Sequence, residues 1–159
     1  MHHLMDEVSS SHNLVLMLTK GILTRPWCLL EIATASRDKV PVLPVNILKA
    51  GCEFTFPDDS FYKDLGKTIG SSGVDLIKQH GFEMDDVVNS LKEVFKRIAV
   101  PYSPHRPATI RKVELQELLK QATVRDIVEH TAHFPKVPKS AVQRQTTQLS
   151  SATRRSSFL

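Results

Sequence analysis

The sequence contains little of what secreted, membrane-spanning or disulfide-rich proteins need. Only two cysteines, Cys28 and Cys52, occur among 159 residues, so we expect reduced thiols and a cytoplasmic setting rather than a disulfide framework. No apolar run approaches the ~20 residues that a membrane-spanning helix requires. The first residues lead into no apolar segment of the kind that a secretory signal peptide carries, and we expect none.

Phosphate-binding and metal-binding patterns are also absent. The triplet Gly66–Thr68 has the sequence with which a phosphate-binding loop ends, but that motif needs a glycine at position 61, where the chain has Phe61. His130 and His133 are spaced to share a helix face, yet no third ligand accompanies them at a suitable spacing. We therefore expect no metal site and no bound cofactor.

The positive charge is concentrated in the last third of the chain. The net charge of +4 divides into −2 for residues 1–100 and +6 for residues 101–159. A basic segment can contact nucleic acid, acidic lipid or an acidic partner, but a solvated tail is the simpler interpretation, and we do not expect nucleic-acid binding. From Pro135 onward Pro, Ser, Thr, Gln and Arg dominate, which predicts a disordered basic tail over 135–159.

The rest of the sequence is organised around the stretch Asn13–Asn46. The short apolar run Leu14–Leu18 predicts a strand that is buried on both faces. Trp27–Ala35 is helical in character, and the β-branched run Val40–Val45 predicts a second strand. Two strands joined by a helix predict a βαβ unit with parallel pairing and a right-handed crossover.

The predicted helix of this unit is apolar on nearly every side, which indicates that it is largely buried. Thr24 is the expected N-cap residue, and Pro26 falls in the first turn, where its missing N–H costs nothing. Glu31 is the exception to the apolar pattern. It either points to solvent or pairs with a basic side chain near the helix start, or it is a functional carboxylate in a cleft with a raised pKa. Trp27, one turn earlier, is either part of the core or a wall of such a cleft.

This segment resembles the middle of a TIR (Toll/interleukin receptor) domain. In that family a strand ending in Ser or Thr leads through a short loop into a W-C-x-x-E-[LI] helix, followed by a strand rich in Val, Ile and Pro. The matching residues are Leu18–Thr19, then Trp27, Cys28, Glu31 and Ile32, then Val42–Val45. The resemblance implies a partial flavodoxin-like parallel sheet in which the first strands are missing, so that the chain begins midway through the domain.

The resemblance also implies a function. TIR domains signal inside the cell through homotypic contacts, so the expected partners are other TIR domains or a second copy of the chain. In the members that cleave NAD⁺, the glutamate of the motif is catalytic, and by position it falls on Glu31. The expected substrate-binding residues are Trp27 and the loop residues Thr19, Lys20 and Gly21, with NAD⁺ as a substrate and not a cofactor. The open alternatives are an NAD⁺ nucleosidase that needs the missing half, and an unrelated small α/β binding module.

Further helices are predicted on both sides of this segment. A helix ends at Ser11, a short helix spans Asp59–Gly66, and Gly70–Gly73 is a flexible turn. Val74–Ile77 is a short strand or a helical turn, which periodicity over four residues does not decide. The clearest helix is Met84–Ile98, whose apolar residues recur at three- and four-residue steps.

The C-terminal part is expected to leave the domain. Ala99–Pro104 is predicted to be extended, and a helix over Thr109–Gln121 to turn Ile110, Val113, Leu118 and Leu119 inward. We therefore divide the chain into a TIR-like domain (1–104), a helical extension (105–134) and the tail (135–159). Without the first strands, Leu14–Leu18 becomes an exposed edge, which predicts weak stability or association through this edge.

Overall fold

A computed structural model describes residues 2–123 of the chain. This part is an α/β fold, as the sequence predicted, and its parallel sheet has three strands. Its elements are α1 (His2–Ser10), β1 (Leu14–Leu18), α2 (Pro26–Arg37), β2 (Val42–Ile47), α3 (Asp59–Gln79), α4 (Met84–Val94), β3 (Val100–Tyr102) and α5 (Ala108–Gln121).

The sheet has the strand order β1-β2-β3, so β2 is central and β1 is an edge strand in the part of the chain that the structure describes. The register runs from Leu14 opposite Val42 to Leu18 opposite Asn46, and β3 joins β2 with Val100 opposite Val45. The predicted parallel pairing of the βαβ unit is therefore confirmed. β3 was not predicted as a strand, because its three residues are too few to show a pattern and include Pro101.

The two faces of the sheet are covered differently. Leu16 and Leu18 of β1 belong to the main apolar core, together with the buried residues of α2 and α4. Helix α5 packs on the opposite face, against β3 and β2. On that face Val15 and Met17 of β1 are 48% and 54% exposed. The prediction that this strand is buried on both faces is therefore wrong, because α5 covers the central strand and leaves the β1 side open.

Helix α3 is longer than the sequence indicated. Helical structure extends beyond the predicted Asp59–Gly66 to Gln79, but it consists of two helical parts that meet at a kink, where Gly70 is non-helical (φ 74°, ψ 172°) inside the predicted turn. The residues Val74–Ile77 are helical. The buried residues of α3 are Leu65, Ile69, Gly73 and Ile77. Leu65 and Ile69 before the kink and Ile77 after it anchor both parts in the apolar core.

Helix α5 has the predicted bounds to within one residue but not the predicted orientation. Val113 and Leu119, which were expected to face inward, are 57% and 70% exposed, Ile110 is also exposed, and Leu118 is half-buried. The Glu114 carboxylate instead accepts a hydrogen bond from the Ser103 backbone N–H (2.8 Å). The polar Glu114 is thus half-buried on α5, whereas the sequence pattern predicted that apolar side chains face inward. The predictions for residues 124–159, including the disordered tail and the histidine pair, lie outside the described residues.

Candidate functional site

The loop between β1 and α2 positions the start of α2, the site helix that carries Trp27 and Glu31. Gly21 has a positive φ (76°), which an L side chain rarely adopts, and the chain then forms a 3₁₀ turn over Ile22–Thr24. The prediction that Thr24 caps α2 is wrong, because its hydroxyl donates to the Gly21 carbonyl (2.9 Å) and Arg25 occupies the N-cap position. Pro26 is the first residue of α2, as predicted.

Helix α3 contacts this helix start closely. Gly73 is buried, and a Cβ atom added there would lie 2.9 Å from Cγ of Pro26. Farther along, the Trp27 ring meets the His80 ring edge to face, with centroids 5.4 Å apart. The His80 Nδ1 atom lies 2.9 Å from the Leu76 carbonyl oxygen. The half-buried Trp27 is therefore packed against the end of α3.

Glu31 is half-buried in the middle of α2, between the fully buried residues Leu30 and Ile32. Burial removes water from the carboxylate and raises the pKa of Glu31 above its ordinary value. Within residues 2–123 it forms no ion pair or hydrogen bond. The pairing with a basic side chain near the helix start, which was one interpretation of Glu31, is therefore not found in the described part.

The charge of Glu31 acts on the thiol of Cys28, three residues earlier. Burial raises the pKa of Cys28, and the negative charge of Glu31 raises it further, whereas Arg25 lowers it. The thiol is accordingly held in its neutral form, which is the unreactive state of a cysteine. Cys28 and Cys52 are both free thiols. The chemistry that this flank of α2 offers is that of a carboxylate beside a neutral thiol and an aromatic ring.

The predicted substrate-binding loop faces a different neighbour. Lys20 and Gly21 are exposed and Thr19 is half-buried. The pKa of the Glu53 carboxyl is lowered first by the Gly51 backbone N–H, which donates to it (2.9 Å), and also by the charge of Lys20. Lys20 thus lies near the segment that follows β2, at the carboxyl edge of the sheet.

The five predicted site residues therefore form two groups. Trp27 and Glu31 are four residues apart and share one flank of α2, whereas Thr19–Gly21 lie at the sheet edge. Glu31 comes five residues after Pro26, which places it about 7.5 Å along the helix axis from its start. The spacing in the sequence predicts the first group. It gives no signal for His80 or Glu53, which approach from distant segments.

A groove occurs elsewhere, between α5 and the end of β3. It has a volume of about 460 Å³ and is lined by Tyr102, Ala108, Arg111, Lys112, Leu115, Gln116 and Leu119. None of these residues was a predicted site residue. The groove was not predicted, because the apolar residues of α5 were expected to face the interior.

Within residues 2–123 no group of three His, Cys, Asp or Glu side chains is arranged to hold a metal ion. The helices of this part are also too short or too polar to cross a bilayer. No protein-family model, curated protein or solved structure matches the chain. The W-C-x-x-E resemblance therefore stays a prediction, and the function has to be argued from the geometry.

Proposed function

We propose that this chain is a TIR-like intracellular signalling domain that acts through homotypic contacts, and that β1 is the strand that makes them. One observation carries the proposal: β1 pairs with a strand on one side only in the described part, and its residues Val15 and Met17 are half-exposed. The three parallel strands with helices on both faces are what part of a flavodoxin-like sheet contains.

An edge strand of this kind is a template for association. Within residues 2–123 its outer N–H and C=O groups lack ladder partners, and a second chain can pair with them by adding a strand. Proteins that must stay monomeric usually protect such an edge with charge or proline, but β1 has the sequence LVLML and carries neither. Pairing with a second copy would also remove Val15 and Met17 from water, which favours association.

The test is sedimentation velocity of the wild type over a range of concentrations, beside the variants Val15→Lys and Met17→Lys. We expect the wild type to associate as its concentration rises and both variants to remain monomeric. Ile98→Lys is the matched control, since Ile98 is 90% exposed and lies outside the sheet. A monomeric wild type, or lysine variants that associate as the control does, would contradict the proposal.

A second function, NAD⁺ cleavage, is favoured by Glu31, which is half-buried and has no ion-pair or hydrogen-bond partner among residues 2–123. In this reaction the bond between the ribose and nicotinamide breaks, nicotinamide leaves with the electron pair, and water adds to the ribose and releases a proton. The transition state resembles the oxocarbenium ion of glycoside hydrolysis. A carboxylate that has lost part of its water interacts more strongly with the developing positive charge. We assign this role to Glu31, with Trp27 beside it.

Nicotinamide release by the purified chain tests this second function. We expect Glu31→Gln, which keeps the shape and removes the charge, to lower the rate by about 100-fold, as the loss of one transition-state contact does. Glu83→Gln is the control, because Glu83 is an exposed carboxylate at the start of α4. Activity that survives Glu31→Gln would remove the assigned role. A wild type that associates but releases no nicotinamide would support the signalling proposal and contradict NAD⁺ cleavage.

A further inference from the structure

The groove beside α5 has the size and lining of a small-molecule site. Its volume of about 460 Å³ falls in the range of about 300–1,000 Å³ that ligand sites occupy. Six of its seven lining residues recur along α5 at three- and four-residue steps, and Tyr102 at the end of β3 forms the opposite wall. The groove is therefore one continuous strip along the helix.

The half of the groove near the start of α5 is cationic. Arg111 and Lys112 line it, and neither has an ion pair or hydrogen bond from its side chain within the described residues. The Nε atom of Arg111 is buried without a hydrogen-bond partner. A partly desolvated positive charge is costly unless an anion compensates it. The carboxylates of α5 do not do so, because Glu114 accepts from Ser103 and Glu117 pairs with Lys120.

The other half of the groove is apolar and open. Leu115 and Leu119 line it, and both are exposed. Leu119 comes eight residues after Arg111, which corresponds to about 12 Å along the helix axis. Charge and apolar surface thus follow each other in a fixed order along one strip, which is the order of head and chain in an amphiphile.

We propose that this groove binds a single-chain fatty carboxylate, at a site that shares no lining residue with the β1 edge or with Glu31. The carboxylate head lies at Arg111 and Lys112, where the planar guanidinium can donate two parallel hydrogen bonds. The alkyl chain runs along Leu115 and Leu119 and passes Tyr102. The ligand thereby compensates the charge of Arg111 and covers the leucines in one step.

The test is isothermal titration of the full chain with decanoate and with its neutral analogue decanol, both at concentrations below micelle formation. We expect saturable binding of one decanoate per chain and no saturable binding of decanol. Lys112→Gln should weaken decanoate binding about tenfold, the effect of one charge-assisted hydrogen bond. Leu119→Asp should abolish binding, because it puts a negative charge where the chain would lie.

Both substituted residues are exposed, so their variants should fold, and thermal unfolding followed by circular dichroism confirms this. Lys63→Gln is the control for charge, since Lys63 is an exposed cation on α3, and it should bind decanoate like the wild type. Equal binding of decanol, or unchanged binding in both groove variants, would overturn the proposal. An acidic amphipathic peptide that occupies the groove when decanoate does not would also overturn it, in favour of a protein partner.

Discussion

Alanine at position 73 tests how closely α3 approaches the start of the site helix. Gly73 lies inside α3 with helical backbone angles, so alanine by itself would favour the helix by up to about 1 kcal/mol. The added Cβ, however, would lie 2.9 Å from Cγ of Pro26 and 3.0 Å from Cβ of Ile69. Ordinary contacts of this kind are longer than 3.4 Å. Neither neighbour can move freely, because one is a proline ring and the other is attached directly to the backbone.

Overpacking of this kind costs roughly 1–3 kcal/mol. We therefore expect Gly73→Ala to lower the free energy of unfolding by about 1 kcal/mol after the helix-propensity gain is subtracted. Gly66→Ala is the matched control in the same helix, because the nearest atom to its added Cβ is Val74 Cγ2 at 3.9 Å. There the gain should appear without the clash, as a stabilisation of about 0.4–1 kcal/mol.

Urea denaturation followed by circular dichroism measures both variants against the wild type. Their stabilities should shift in opposite directions and differ by about 1.5–2 kcal/mol, which corresponds to a separation of about 3–8 °C in Tm for a chain of this size. If Gly73→Ala is as stable as Gly66→Ala, the close packing of α3 on Pro26 is refuted. The inferred position of Trp27 against His80 would then lose its support.

Two carboxylates should change stability with pH in opposite ways. Burial raises the pKa of Glu31 above its ordinary value of 4.5. The contribution of Glu31 to folding stability is therefore fully present at a pH below 4.5 and is lost as the pH rises through the raised pKa. Glu31→Gln should accordingly be more stable than the wild type at pH 7 and equal to it near pH 4. The Phe61 N–H, and after it the Ser60 hydroxyl, donate hydrogen bonds to Asp58 and lower its pKa below the ordinary value of 3.8. The contribution of Asp58 to folding stability is therefore present at a pH above 3.8 and is lost as the pH falls through the lowered pKa. Asp58→Ala should thus destabilise α3 at pH 7 and less so in acid, whereas Asp58→Asn should keep the cap. Urea unfolding at both pH values measures all three variants, and a Glu31→Gln protein that is less stable than the wild type at pH 7 would contradict the buried carboxylate.

The central βαβ unit could be predicted because its signals are local. Two apolar runs of five and six residues flank a helix with proline at its first position, and each run by itself indicates its strand. Local signals predicted α3 only in part. The glycines of Gly70–Gly73 suggested a turn, and the chain does kink at Gly70, but Gly73 is helical and is small because Pro26 lies against it. A glycine that permits close packing cannot be told from a turn glycine without knowledge of the distant neighbour.

The orientation of helix α5 was predicted wrongly, because its sequence shows no clear apolar pattern. Its apolar residues occur on several sides of the helix, so no single stripe identifies the face that packs on the sheet. Arg111, Glu114 and Leu118 are the half-buried positions, and the hydrogen bond from Ser103 to Glu114 connects segments that no periodicity links. In the candidate site, too, only the relationship between residues close in sequence could be predicted. The sequence predicts that Trp27 and Glu31 share a flank, whereas the partners of Trp27 and Lys20 arrive from elsewhere in the fold.

The path of α5 determines which surface of the sheet stays open. The helix starts after β3, and the segment that follows it is joined to the residue before β1, where the Asn13 side chain donates to the Thr123 carbonyl (2.7 Å) and accepts from the Thr123 N–H (3.0 Å). The helix packs against β3 and β2 and leaves Val15 and Met17 uncovered. Helix α2, with Glu31, lies on the opposite face of the sheet. A partner that pairs with β1 and covers these two side chains would thus not occupy the flank of Glu31, so homotypic contact and chemistry at Glu31 do not compete for the same surface.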